Sequence, residues 1–394
     1  MPVKLGIYCD SGINGGHEEM LKRFMRALVS NGSLETLHVF VPTANVELHA
    51  HVSELARTYP KLKVVSLTYT AESLRGNMLA IMRAARRTAD ILRELQISKL
   101  LLAQGTIVSG LAGLFAARFA RVPAVSYLPL VDDAPARAGA GERVKWMVKR
   151  ALYRMPHEFV TLNDYLRGKL ERLAPRARTM TLENYVDDRF SRSDLSKKAA
   201  RAALGLPDDG TRIVTHIGRI MLQQKRQDFV LEAIQRNPAA FENTLVLIVG
   251  DGPDAPRLRA CIESSPVLAP RVKMIGPKAD VLPYIVASDA LVLPSRYEGV
   301  PLVMIESVLA ERPIVVSRVS GLDAYLPDAL LFPADDHDAF VERLRNAQDF
   351  PIGPLTASFR RRFSRDVFDA QAQRVLLLES VSDTESLPRA REAA

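Results

Sequence analysis

Cysteine is almost missing from this sequence: Cys9 and Cys261 stand in opposite halves of 394 residues. Two thiols cannot make a disulfide framework, so a reducing compartment is expected, with both acting as small buried hydrophobes. No His/Cys cluster has the spacing of zinc ligands and no Ser sits in a nucleophile elbow, which leaves no sign of zinc or serine-hydrolase chemistry. The opening MPVKLGIYCD lacks the basic region, long apolar stretch and cleavage site of a signal peptide. It reads as a first strand, and a cytoplasmic location follows as an expectation. Long hydrophobic runs are equally scarce. Residues 100–117 carry no charge between Lys99 and Arg118, but Gln104-Gly105-Thr106 splits them into a short strand and a helix from about 107 to 120, so no membrane span is expected. Aromatics make up 6% of the chain, while 47% hydrophobic and 25% charged residues exclude disorder and fibre.

Acidic residues are in deficit only in the first half. Residues 1–190 hold 27 Lys/Arg against 18 Asp/Glu, within a chain whose formal net charge is +8. Residues 191–394 are therefore nearly neutral. An excess of this kind suits an anionic partner, although no recognised nucleic-acid module accompanies it and nucleic acid is not expected.

Short apolar runs alternate with helix-like stretches along the whole chain, as in parallel sheets covered on both faces. The first half offers VKLGIYC, LHVFVP, KVVSL, KLLLA, AVSYL and EFVTL; the second offers RIVTHIG, TLVLIVG, KMIG, ALVLP, PIVVS and ALLFP. Six and six predict two doubly wound domains, 1–190 and 191–380, with 381–394 a polar tail. The join falls in the charged, turn-rich stretch between about Asp187 and Asp209. A closing helix over about 358–379, carrying Phe359, Phe363, Val367 and Leu376, is expected to pack back on the first domain.

The segment ALVLPSRYEGVPLVMIESVLAERPIVVS reads as a buried strand, a loop and a helix, with Glu298 in the loop and Glu306 eight residues later. Pro301 suits a helix start, leaving the amides of Leu302 and Val303 to face outward, and such an end attracts phosphate. Glu306, one turn on, suits the hydroxyls of a ribose. Upstream, HIGRIMLQQKRQDF places Gly218, Arg219 and Lys225 after a strand, and GDGPDAPRL places Gly250 in a tight turn. Near the start, CDSGINGGHEEM sets Gly15 and Gly16 between the first strand and an amphipathic helix, without the G-x-G-x-x-G spacing of dinucleotide-binding oxidoreductases.

Together these segments, with LENYVDDRF resembling an N-x-V-D-x-x-x-F crossover one residue shorter, resemble the retaining family-4 glycosyltransferases and their E-x7-E motif. The resemblance implies a GT-B fold, two Rossmann-like α/β domains facing across a cleft, the first binding acceptor and the second a nucleotide-diphospho-sugar, a UDP- or GDP-sugar. It implies that Glu298 contacts the donor sugar, Glu306 the ribose, and Arg219 and Lys225 the diphosphate. Gly15, Gly16, Gly218, Gly250, Gly299, Leu302 and Val303 complete the implied donor site, and no metal or other cofactor is called for. The acceptor implied is a glycan or a lipid-linked glycan, in polysaccharide, lipopolysaccharide or glycolipid synthesis. A nucleotide-sugar 2-epimerase and a silent nucleotide-sugar-binding subunit share these features and stay as alternatives.

The sequence departs from the family at one point. Many members place a His after the strand matching PAVSYL, where Leu128 and Pro129 stand here. Asp132 is the candidate to supply a polar group, as a turn or capping residue otherwise; His17 is a second. The D-x-D at Asp336 and Asp338 reads as a capped helix start rather than a metal site. Two stretches, ERVKWMVKRALYRM and NMLAIMRAARRTADILREL, combine apolar stripes with Lys and Arg. Each suits either a core-packed helix with a basic outer face or peripheral contact with an anionic membrane.

Overall fold

The computed structural model describes residues 3–12, 16–134 and 139–377. Thirteen strands are formed among them: β1 (Val3–Tyr8), β2 (Leu34–Pro42), β3 (Leu62–Leu67), β4 (Lys99–Ala103), β5 (Ala124–Tyr127), β6 (Glu158–Thr161), β7 (Arg178–Thr181), β8 (Arg212–Ile217), β9 (Thr244–Val249), β10 (Val272–Gly276), β11 (Ala290–Leu293), β12 (Ile314–Ser317) and β13 (Leu331–Phe332). They build a seven-stranded sheet in the order β3-β2-β1-β4-β5-β6-β7 and a six-stranded sheet in the order β10-β9-β8-β11-β12-β13. The ladders run parallel, as in β8 against β9, where Val214 pairs with Val246 and His216 with Ile248. Strands buried on both faces must be apolar throughout, and β9 is TLVLIV with every residue buried.

The chain divides by contact into two units, residues 1–102 with 112–124 and 369–394, and residues 103–111 with 125–368. In the first, Tyr8 lies so close to Gly113 that a Cβ there would stand 2.4 Å from its ring, so only glycine lets the helix Leu111–Ala120 approach the strand. In the second, Phe229, Phe332 and Phe340 stack in one cluster, with ring centroids 5.2 to 5.6 Å apart, on a core drawn from β8, β9, β11 and β12.

Four features depart from the sequence reading. A seventh strand, β7, extends the first sheet at its edge; Arg-Thr-Met-Thr is only partly buried and shows no apolar run. The uncharged stretch becomes β4 and the helix Leu111–Ala120, whose start lies four residues beyond the expected one. The expected closing helix is two helices, Ile352–Arg362 and Arg365–Leu377, broken at Phe363 and Ser364. Phe359, Phe363 and Leu376 are buried as expected, but Val367 is exposed, and Gln373 bonds the carbonyl of Ala27 and the side chain of Asn31. Cys9 is buried whereas Cys261 is exposed. Among the described residues no helix is long and apolar enough to cross a membrane.

Candidate active site

In an open parallel sheet, ligands bind outside the carboxyl ends of the strands where the strand order reverses. The second sheet reverses between β8 and β11, so the loops that follow these two strands should carry the site. They do carry the polar residues singled out above. After β8 the chain runs through Gly218, Arg219 and Ile220 into a single helical turn, Leu222–Lys225. After β11 it runs through Arg296, Tyr297 and Glu298 to the helix Leu302–Leu309. The Lys225 ammonium meets the Glu298 carboxylate at 2.6 Å, joining residues 73 positions apart.

Both partners are held from behind. The amide of Arg296 donates to the Gln224 carbonyl at 2.8 Å, and Gln224 Nε2 donates to the Tyr297 carbonyl at 3.3 Å. Glu298 donates its own amide to Ser320 Oγ at 3.1 Å, and Glu298 is buried. Arg226, in the left-handed region at φ 54°, turns the chain sharply after Lys225; its guanidinium pairs with Asp228 and Asp335 and lies over Phe229. A salt bridge this enclosed must be well built to repay the desolvation of two charges.

The GDGP turn stands behind the β8 loop. A Cβ on Gly250, at φ 142°, would stand 2.0 Å from the Gly218 carbonyl oxygen, and one on Gly252 2.2 Å from that of Ile220. Gly218 and Ile220 donate their amides to the carbonyls of Val249 and Asp251. Gly250 thus shapes the loop carrying Arg219 and Lys225 through its backbone. Arg219 is exposed, its carbonyl accepting from Gln227 Nε2 at 2.9 Å, and its guanidinium is in no ion pair with a described residue.

His216, near the end of β8, is buried beside this loop, and a Cβ on Gly218 would stand 3.8 Å from both its Cε1 and Lys225 Cε. Burial first, and then the Lys225 charge, lower its pKa to about 3. A folded value below the unfolded one means stability is complete above about pH 6.5 and is lost as pH falls toward 3, because only the unfolded chain takes up the proton. The expected loss approaches about 1.4 kcal/mol per pH unit. Urea titrations between pH 7 and 5 should show this slope in the wild type and lose it in His216→Met. An equal slope in both would assign the effect to other groups.

The helix Leu302–Leu309 starts at Pro301, which provides no side-chain cap. Met304 is the first residue whose amide bonds within the turn, so the amides of Leu302 and Val303 lie at an uncapped start. Glu306 sits half-buried in the second turn. Around Glu298, three further loops close in. A Cβ on Gly299 would stand 2.7 Å from the Pro129 carbonyl oxygen and 2.5 Å from Leu162 Cδ1. Asn184 Nδ2 donates to the Val300 carbonyl at 2.7 Å, and Asn163 Nδ2 to that of Ser320 at 3.1 Å. Gly299 is therefore required by packing against the Pro129 carbonyl and Leu162.

Asp132 is brought into this neighbourhood but is already engaged. Its carboxylate pairs with Lys149 at 2.6 Å and accepts from the Tyr153 hydroxyl at 3.1 Å. The Tyr297 hydroxyl is pushed above its usual pKa by burial, then by Glu298 and Asp132, so both carboxylates lie within electrostatic reach of it. Gly15 and the side chain of His17 lie outside what the structure describes; Gly16 opens the helix Gly16–Val29 in the first unit. Asp336 caps the helix His337–Asn346, accepting from the Ala339 amide at 3.0 Å. Among the described residues no three His, Cys, Asp or Glu side chains are grouped to hold a metal.

Sequence reasoning missed Tyr297, Ser320, Asn163 and His216. Only Ser320 left a local signal, a Ser-Gly pair just after β12 with positive φ at both residues. Asn163 and Tyr297 gain their importance from Ser320 and Gln224, far along the chain, and His216 from burial that only the packed sheet supplies.

Two parallel doubly wound sheets, the second with its polar loops at the point of strand reversal, define a GT-B fold. Residues 211–349, which contain β8 to β13, match the family model for glycosyl transferases group 1. That match is confined to the second sheet and its loops. The chain is similar to the α-D-kanosaminyltransferase of Streptomyces kanamyceticus, 30% identical over 190 residues, 47% of this chain and 48% of the relative. It is also similar to the UDP-Gal:α-D-GlcNAc-diphosphoundecaprenol α-1,3-galactosyltransferase of Escherichia coli, 30% identical over 150 residues, 33% and 39% of the two chains. The chain thus spans less than half the length of these relatives. In fold it is similar to Anabaena Alr3699/HepE, solved in complex with UDP-glucose, with a TM-score of 0.72, 18% identity and coverage of 95% and 99% of the two chains.

Proposed function

We propose that this protein is a retaining glycosyltransferase of family 4, which moves a sugar from a nucleotide-diphospho-sugar to a hydroxyl of a glycan or lipid-linked acceptor without a metal ion. The carrying observation is the Lys225–Glu298 pair beside the uncapped helix start at Leu302, at the strand reversal of the second sheet. The domains are assigned as 1–190 for acceptor and 191–380 for donor. The amides of Leu302 and Val303 and the cations Arg219 and Lys225 take the diphosphate, Glu306 the ribose, and Glu298 the transferred sugar. Glycosyl relatives acting on lipid-linked and lipopolysaccharide substrates support the acceptor class.

The chemistry asks little of the protein beyond placement and charge. The anomeric carbon–oxygen bond to the β-phosphate breaks as the acceptor oxygen attacks from the same face. The departing phosphate oxygen takes the acceptor's proton, so no protein nucleophile is used. Negative charge grows on the diphosphate, and preorganised cations there stabilise the transition state more than the ground state. Glu298, anchored by Lys225 and Ser320, has one carboxylate oxygen beyond the Lys225 contact to orient sugar hydroxyls.

Product NMR with the preferred donor tests the reading directly. The new glycoside should keep the donor's anomeric configuration, and turnover should survive EDTA. An inverted linkage, an isomerised nucleotide sugar without acceptor, or loss of activity with EDTA restored by a divalent cation would each overturn it.

Donor choice is read by thermal shift. A ligand at a hundredfold excess over Kd stabilises the folded state by about 2.7 kcal/mol, a few degrees for a domain of this size. Among UDP-, GDP-, ADP- and TDP-sugars one base should give the largest shift, and UDP is expected. Glu306→Gln should reduce the shift for every sugar on that base, whereas Glu298→Gln should reduce discrimination among sugars. Unchanged shifts in Glu306→Gln would place the ribose elsewhere.

A further inference from the structure

The helix Ala140–Leu152 turns the wrong face to water. Leu152 and the following Tyr153 are buried, and Lys149 is tied to Asp132, so this side is attached to the protein. Val144, Met147, Val148 and Ala151 follow one another at the spacing of a single helical face. That face is exposed: Val144 by 56%, Met147 by 64% and Val148 by 56%. Three large apolar side chains in one contiguous stripe on a helix of 13 residues are a surface waiting for an apolar partner.

The surrounding charge says which partner. At 100° per residue, Arg143, Arg150 and Arg154 line one border of the stripe and Lys145 the other. None of these four is in an ion pair with a described residue, in contrast to Lys149. Glu142, in the first turn, is the helix's only acidic residue. The stripe itself holds Val, Met and Ala; Trp146 lies outside it and is half-buried. Protein interfaces gather aromatic anchors at their centre, which this stripe lacks. An apolar strip between unpaired cations instead matches acyl chains under anionic headgroups.

We infer that the helix Ala140–Leu152 docks the protein on an anionic lipid bilayer, with Val144, Met147 and Val148 entering the headgroup–acyl boundary and Arg143, Lys145, Arg150 and Arg154 meeting phosphates. The docking helix is joined through Lys149 and Tyr153 to Asp132, in the loop after β5 whose Pro129 touches Gly299. Membrane contact thus reaches the backbone beside Glu298 through one short loop. The inference stands apart from glycosyl transfer, since binding to lipid needs neither donor nor turnover.

Co-sedimentation of the full chain with vesicles of phosphatidylglycerol and phosphatidylethanolamine tests it, with phosphatidylcholine vesicles for comparison. Binding is expected to the anionic vesicles, to weaken as salt rises, and to be absent on phosphatidylcholine. Each cation near such a surface contributes about fivefold, so Arg150→Ala with Arg154→Ala should weaken binding about thirtyfold. Met147→Asp with Val148→Asp should weaken it at least about tenfold. All four positions lie outside the donor site, and an unchanged melting temperature confirms folding. Absence of wild-type binding at low salt overturns the inference. So does binding that survives both double variants but disappears in Met78→Asp with Leu79→Asp, which would move the contact to the helix Met78–Glu94. Self-association abolished by Met147→Asp, without vesicle binding, would give the stripe to a second copy of the chain.

Discussion

Lys225→Ala is expected to lower kcat/KM for sugar transfer at least about a hundredfold, a loss of about 2.7 kcal/mol of transition-state stabilisation. The ammonium does two things, and a single substitution removes both. In the proposed reading it takes the diphosphate, and it balances the buried Glu298 carboxylate at 2.6 Å. Removing one member of an enclosed pair leaves the other charge uncompensated, which costs about 3–5 kcal/mol in well-buried cases. With side chains 15% and 6% exposed, this pair belongs near that range. Loss of activity in Lys225→Ala could therefore reflect a weakened fold.

The double variant Lys225→Met with Glu298→Gln separates the two effects. Neutralising both partners removes the unpaired charge, so its urea midpoint should return close to wild type while activity stays low. Arg219→Ala, which breaks no ion pair with a described residue, should keep wild-type stability and still lose roughly a hundredfold. Full activity in either Lys225→Ala or Arg219→Ala would remove these cations from the mechanism.

Gly250→Ala should be the most damaging small substitution in the second unit, costing about 3 kcal/mol or more. At φ 142° any side chain is strained, and the added carbon would stand 2.0 Å from the Gly218 carbonyl oxygen, a main-chain atom with no rotamer to yield. Such a loss lowers the melting temperature by about 6–12 °C in a domain of this size. Relief can come only by moving the loop that carries Arg219 and Lys225. The donor-induced thermal shift should then disappear even in the molecules that remain folded. Gly353→Ala is the comparison: nothing lies within 4 Å of its added carbon, and it should change the melting temperature by no more than about 2 °C. A Gly250→Ala protein with wild-type melting and donor binding would show that the two glycine turns are not in contact.

Much of this molecule was legible along the chain. Twelve of the thirteen strands announced themselves as apolar runs, because a strand covered on both faces can hold little else. The Asp336 cap and the helix start after Pro301 were equally readable, since both depend on residues within one turn. What escaped was whatever depends on a neighbour far away. The edge strand β7 takes its place from the β6 backbone, so Arg-Thr-Met-Thr needs no apolar pattern. The basic stretch at 142–155 showed an apolar stripe without showing which side would be covered; periodicity defines a face, and only packing decides whether that face meets the core or water. Glu298 and Lys225 each stood out for the motif around it, but their ion pair exists because β8 and β11 lie side by side where the strand order reverses. By itself the sequence determined the strands, the helices and the chemistry of the loops between them. Tertiary structure alone decided which loops meet, because strand order sets the distance between residues that the chain holds 73 positions apart.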